Sequence, residues 1–117
     1  MKVRLVDIAH ARSGDKGNIA NVGVIALKAA WYPVIAREVT VERVTAHYAG
    51  AIRGRVERFE LANLHAVNFL LHGALDGGGT LSLRTDAQGK VFSTSMLRLI
   101  LDVPDDEARR LGLPIVP

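Results

Sequence analysis

Residues 2–27 read KVRLVDIAHARSGDKGNIANVGVIAL, two apolar runs framing one polar stretch, HARSGDKGN at residues 10–18. In the first run, residues 2–9, Val3, Leu5 and Ile8 are apolar and so is Val6, the pattern of a strand covered on both faces. The second, residues 19–27, is rich in β-branched side chains and broken by Gly23, the mark of a bulge or a close backbone approach. Two such runs in succession make an antiparallel hairpin. Hairpin loops commonly take about two to five residues, so the polar stretch predicts a hairpin with a long tip.

Outward from the hairpin, residues 29–48 turn helical. Pro33 suits a first helical turn and Thr40 an N-cap, which predicts two helical pieces with a break near Val39. Residues 56–61, VERFEL, alternate as a strand. Asn63 caps a predicted helix over residues 63–75, NLHAVNFLLHGAL, whose stripe is Leu64, Val67 and Leu71. Residues 80–85, TLSLRT, alternate again, and Asp86-Ala87-Gln88-Gly89 reads as a turn. Residues 92–97 fit either a strand or a short helix. Residues 99–103, LILDV, form a last strand stopped by Pro104, and residues 111–117 are an apolar, proline-bounded tail. Strands with two interspersed helices predict an α+β fold: a ferredoxin-like sandwich, mainly antiparallel, with two helices on one face.

A chain of 117 residues predicts a single domain spanning residues 1–117. Cysteine is absent, which excludes disulfides and thiolate metal sites and fits a reducing compartment. With no leader pattern and no long apolar run, a cytoplasmic protein with no membrane partner is expected. The net charge is only +3, and Glu57 and Glu60 interrupt the nearest basic cluster, Arg53, Arg55 and Arg58. Nucleic acid is therefore not an expected partner. Hydrophobic residues make up 49% of the chain, and LRLILDV is too apolar for a bare sheet edge. A homo-oligomer, most simply a dimer, is expected, with the final strand or the tail at its contact.

The polar stretch holds more than a turn requires. GDKG alone makes a good turn, yet Arg12, Ser13, Asp15, Lys16 and Asn18 crowd around it. Gly14 and Gly17 permit positive φ, and Arg12 and Lys16 add charge, so the segment can form an anion-binding nest. The phosphate-loop pattern is absent. Asn21, Arg84 and Asp86 are expected to approach this patch and complete a ligand site, because a mobile tip alone would be poorly preorganised. His65, Asn68 and His72 share a stripe of the predicted helix, but the two imidazoles are too far apart for one metal, and no metal site is expected. No nucleophile–base motif occurs, so no catalytic residue is assigned.

Three segments in order, AHARSGDKGNIANVGVIA, ERFELANLHAVNFLLHGAL and GGGTLSLRTDAQGK, resemble the C-terminal ferredoxin-fold domain of the acyclic terpene utilisation AtuA family. The resemblance runs from about Val6 to Pro104. In that family the module follows a large N-terminal domain that these residues do not contain. The resemblance thus implies a free-standing version whose partner is a separate large chain. It also implies a setting, the catabolism of branched or terpenoid acids as coenzyme A thioesters, and carries over no catalytic residue.

Two classes of function follow. One is an accessory or assembly domain that docks on a large AtuA-type chain or on itself. The other is a ligand-binding or catalytic module that grips an anionic group, such as that of a coenzyme A thioester, with the polar stretch; no other cofactor is expected. An RNA-binding sheet of the same topology needs aromatics on its open face, and only Phe59 sits in a well-marked strand.

Overall fold

Three residues form the first strand, β1 (Lys2–Arg4), before a single helical turn, α1 (Leu5–Ile8), and the chain becomes extended again as β2 (Ala9–Lys16). This corrects the single strand expected over residues 2–9. Leu5 and Ile8 sit three apart and both are buried, the spacing that one helical turn brings to one side. The computed structural model describes residues 1–74 and 90–117, with the backbone alone at Asp15, Lys16, Lys90 and Val91. The expected strand over residues 80–85 and the turn after it lie outside the described residues.

β2 pairs antiparallel with β3 (Ile19–Ala26) along its whole length, from Ala9 opposite Ala26 to Lys16 opposite Ile19. The polar stretch is therefore strand, and the hairpin closes over Gly17 and Asn18 alone. Gly17 takes φ 65°, the positive φ that two-residue hairpin turns demand. The long tip is corrected, because the backbone ladder outweighs the polarity of the side chains, and an edge strand with one open side tolerates such side chains.

A 3-10 turn (Ala29–Trp31) leads into α2 (Tyr32–Glu38) and α3 (Val41–His47). The break falls at Val39 and Thr40, as the sequence predicts, and the Thr40 hydroxyl accepts the Arg43 N–H at 3.1 Å. β4 (Val56–Leu61) also forms as expected. After a 3-10 turn (Ala62–Leu64) comes β5 (Ala66–His72), where a helix was expected. Val67, Phe69 and Leu71 are all fully buried, so a period of two lies beneath the helical stripe read there. α4 (Lys90–Met96) resolves the ambiguous stretch as helix. β6 (Ile100–Asp102) and a further helix, α5 (Asp105–Leu111), end the regular structure.

The strands form two antiparallel sheets: four strands in the order β2-β3-β5-β4, and a pair, β1-β6. α2, α3 and α4 pack on one face of the larger sheet. There Val22, Val24, Phe69 and Leu71 meet Val34, Ile35, Val44, Phe92 and Met96 in one core. This is the α+β architecture expected, with the helical side divided among more and shorter pieces. Arg58 clamps β4 to the helices, donating from Nε to the Val39 carbonyl at 3.0 Å and from Nη2 to the Ala36 carbonyl. Tyr48 donates its hydroxyl to the Phe92 carbonyl, and burial pushes that phenol well above its ordinary pKa.

The tail finds a place on its own chain. Leu113 is buried, Val116 N–H donates to the Lys2 carbonyl at 2.8 Å, and Trp31 Nε1 donates to the Leu111 carbonyl at 2.9 Å. The expectation that this segment has no seat on a single core is corrected.

Candidate functional site

The face of the four-stranded sheet away from the helices can be read row by row, since residues opposite each other in an antiparallel ladder share a face. One row is His10, Ile25, Ala66 and Leu61; the next is Arg12, Gly23, Asn68 and Phe59; a third is Gly14, Asn21, Leu70 and Glu57. The middle row decides the shape. Gly23 has no side chain between Arg12 and Asn68, and a Cβ built there would meet Asn68 Oδ1 at 3.5 Å, an ordinary contact. The sheet is therefore hollow at that point.

A concavity of about 660 Å³ results. His10, Arg12, Ser13, Asn21 and Asn68 supply its polar lining, and Ile25, Leu61, Leu64 and Ala66 its apolar part. The 3-10 turn after β4 raises one wall: Leu64 is 60% exposed and Leu61 38%. His65 then turns the chain back into β5 with φ 52°, its N–H held by the Ala62 carbonyl at 3.1 Å. Among the described residues none that lines it is acidic, and no carboxylate pairs with Arg12. A guanidinium beside two carboxamides suits an anionic or strongly polar oxygen group. The aliphatic wall suits a hydrocarbon.

Of the residues named from the sequence, Arg12, Ser13 and Asn21 come together in this concavity. Asn18 does not. It sits in the hairpin turn, where its carbonyl accepts the Ala74 N–H at 3.0 Å. The side chains of Asp15 and Lys16, and the whole of Arg84 and Asp86, lie outside the described residues. The backbone nest is corrected, because a strand turns successive N–H groups to opposite sides and they do not converge on one anion. Asn68, Gly23 and the Leu61–Leu64 wall went unassigned. Their signal was an alternation in residues 66–72 that places Asn68 and His72 outward and Val67, Phe69 and Leu71 inward.

His72 lies beyond the concavity on the same face, in the row with Ile19. Its Nε2 donates to Glu57 Oε1 at 2.6 Å. That hydrogen bond, with the charge of Arg55, holds the Glu57 carboxyl below its ordinary pKa. The pair links β5 to β4 at the point where Gly54 packs against His72. Among the described residues no cluster of three potential metal ligands occurs, and no helix is long and apolar enough to cross a membrane.

A family model described as the AtuA ferredoxin-like domain matches residues 3–102. The chain belongs to this family. The match runs from β1 to β6, so the AtuA ferredoxin-like domain includes both sheets and every residue that lines the concavity. No curated protein and no solved structure matches the chain.

Proposed function

We propose that this AtuA ferredoxin-like domain is an accessory binding module that holds an amphipathic acyl anion against the open face of its larger sheet. The setting that the family resemblance implies narrows the class to branched or terpenoid acids, free or as coenzyme A thioesters. One observation carries the reading: a concavity of about 660 Å³ that sets a guanidinium with no carboxylate partner among the described residues, and two carboxamides, against an aliphatic wall. Pockets of roughly 300–1,000 Å³ take ligands of this size, with a few placed polar groups fixing orientation. Arg12 and Asn68 face the charged or carbonyl end, and Ile25, Leu61 and Leu64 the hydrocarbon.

A ligand that binds the native state raises the melting temperature, by an amount that grows with the logarithm of its concentration over Kd. Thermal melts with a branched acyl-CoA, the matching free acid and coenzyme A alone therefore test the proposal. A rise with the acyl compounds that is lost in Arg12→Leu supports it. No rise with any of the three sinks it.

A second reading rests on Phe59, Leu61 and Leu64, which are 45%, 38% and 60% exposed on the same face. Apolar side chains exposed together mark contact surfaces. An assembly domain docking this face on a large AtuA-type chain would show no ligand shift. It would instead co-purify with that chain and lose the complex on Leu64→Glu.

A further inference from the structure

The concavity on the open face of the larger sheet is poor in charge. Arg12 is the one lysine or arginine among its described lining residues, and Asn21 and Asn68 are its carboxamides. Two further basic groups on this side are already committed: Arg55 Nη2 and His72 Nε2 both donate to Glu57 Oε1, at 3.4 and 2.6 Å. Glu57 shares a row with Gly14, Asn21 and Leu70, so a carboxylate stands next to the concavity. Helix N-termini, which hold phosphates in many folds, are on the far side, because α2, α3 and α4 pack on the opposite face.

These features limit the negative charge the site can meet. A carboxylate carries a single charge, and a guanidinium meets it with two parallel N–H donors. The Asn68 carboxamide, turned about its last torsion, adds a further N–H. A coenzyme A thioester presents the reverse arrangement. Its acyl end is a neutral carbonyl, and its charge is concentrated on phosphates that would lie in water or against Glu57.

The dimensions agree. Neighbouring strands lie about 4.8 Å apart, so the path from the hollow over Gly23 on β3, across β5, to Leu61 on β4 is roughly 10 Å. An extended chain covers about 1.2 Å per bond, which makes this path the length of roughly eight carbons. Ile25, Ala66 and Leu61 form one row along it, and the exposed side chains of Leu61 and Leu64 stand at its far end.

We propose that the concavity selects the free carboxylate of a medium-chain acid, about eight to ten carbons long, over its coenzyme A thioester. The carboxylate lies over Gly23 between Arg12 and Asn68, and the chain crosses Ala66 to end against Leu61 and Leu64. This rests on the ligand reading above and narrows it to one chemical form.

Isothermal titration calorimetry on the full chain at neutral pH, with each compound below its micelle concentration, tests the selection. Decanoic acid should bind one per chain, with a Kd roughly tenfold or more below those of decanoyl-coenzyme A and 1-decanol. From hexanoic to octanoic acid Kd should fall by about two- to fourfold per methylene, and from decanoic to dodecanoic acid it should change little. Arg12→Leu should weaken decanoic acid by roughly tenfold or more and leave 1-decanol unchanged or tighter. Circular dichroism melts check that the variant folds, and Arg12→Gln replaces it if it does not. A thioester or an alcohol that binds as tightly as the acid would overturn the proposal and leave the broader ligand reading standing, as would acid binding indifferent to Arg12. Failure of the acid, the thioester and the alcohol alike to bind would overturn both.

Discussion

Gly23 and Gly54 are two glycines with opposite spatial reasons. At Gly23 a Cβ finds only ordinary contacts, 3.5 Å to Asn68 Oδ1 and 4.0 Å to Ile25 Cδ1, whereas at Gly54 it would lie 2.7 Å from His72 Cβ and 2.9 Å from the His72 carbonyl. Gly23→Val should therefore leave the sheet folded, with stability unchanged or raised by about 0.5–1 kcal/mol from the loss of glycine's excess freedom. It should also abolish the melting-temperature rise given by acyl compounds, because the added methyls fill the floor between Arg12 and Asn68. Gly54→Ala should cost about 1–3 kcal/mol in urea unfolding, since the atoms it meets are strand backbone and a Cβ, which cannot swing away. At this scale the sequence was half legible. Arg12, Ser13 and Asn21 stood out by their surplus polarity, but nothing local marked Asn68 as their neighbour across the sheet.

Among the elements, α3 shows local chemistry prevailing. Thr40 has both the position and the side chain of an N-cap, and its hydroxyl accepts the Arg43 N–H. Thr40→Ala should lower stability by about 1 kcal/mol, read by chemical denaturation, whereas Thr40→Ser should cost little. α5 carried equally local marks that went unread: Asp105, Asp106 and Glu107 in its first turn, Arg109 and Arg110 in its last, and Gly112 in the left-handed cap position. β5 shows the opposite case. The stripe of Leu64, Val67 and Leu71 fits a helix, yet the same residues alternate. Pairing with β3 on one side and β4 on the other decided for a strand. Propensity is a weak prior against two full ladders and a buried face.

For the whole molecule, carboxylates bind the outer elements together and set the acid response. Arg37 donates to Glu107 at 2.6 and 2.9 Å, joining α2 to α5, and this pairing depresses the Glu107 pKa as His72 depresses that of Glu57. A carboxyl whose folded pKa lies below its unfolded value contributes stability that is complete above the unfolded value. That contribution is lost as pH falls through the folded value. Urea midpoints should therefore be flat near neutrality and decline as pH drops below about 4.5, the ordinary glutamate value. The decline should be shallower in Glu107→Gln, although that variant starts less stable. The tail gives a second whole-molecule test. Leu113 is 6% exposed against the core cluster, so Leu113→Ala should cost about 2–4 kcal/mol, as for a core leucine. A tail that merely lay on the surface would show almost no change.

By itself the sequence determined what depends on neighbours in the chain: the Thr40 cap and the break before it, the alternation of β4, the second run of the first hairpin as a strand, and the α+β class they imply; the first run instead pairs through β1 with β6. The resemblance in three ordered segments led to the family that residues 3–102 match. Only the tertiary structure decided what depends on distant partners. The polar residues of β2 lie in a ladder because β3 satisfies their backbone, β5 is a strand because two strands flank it, and the tail is seated because β1 offers a free carbonyl. The concavity belongs wholly to this second group. It joins Arg12 to Asn68 across a glycine, and a side-chain period cannot report which residues the ladder sets face to face.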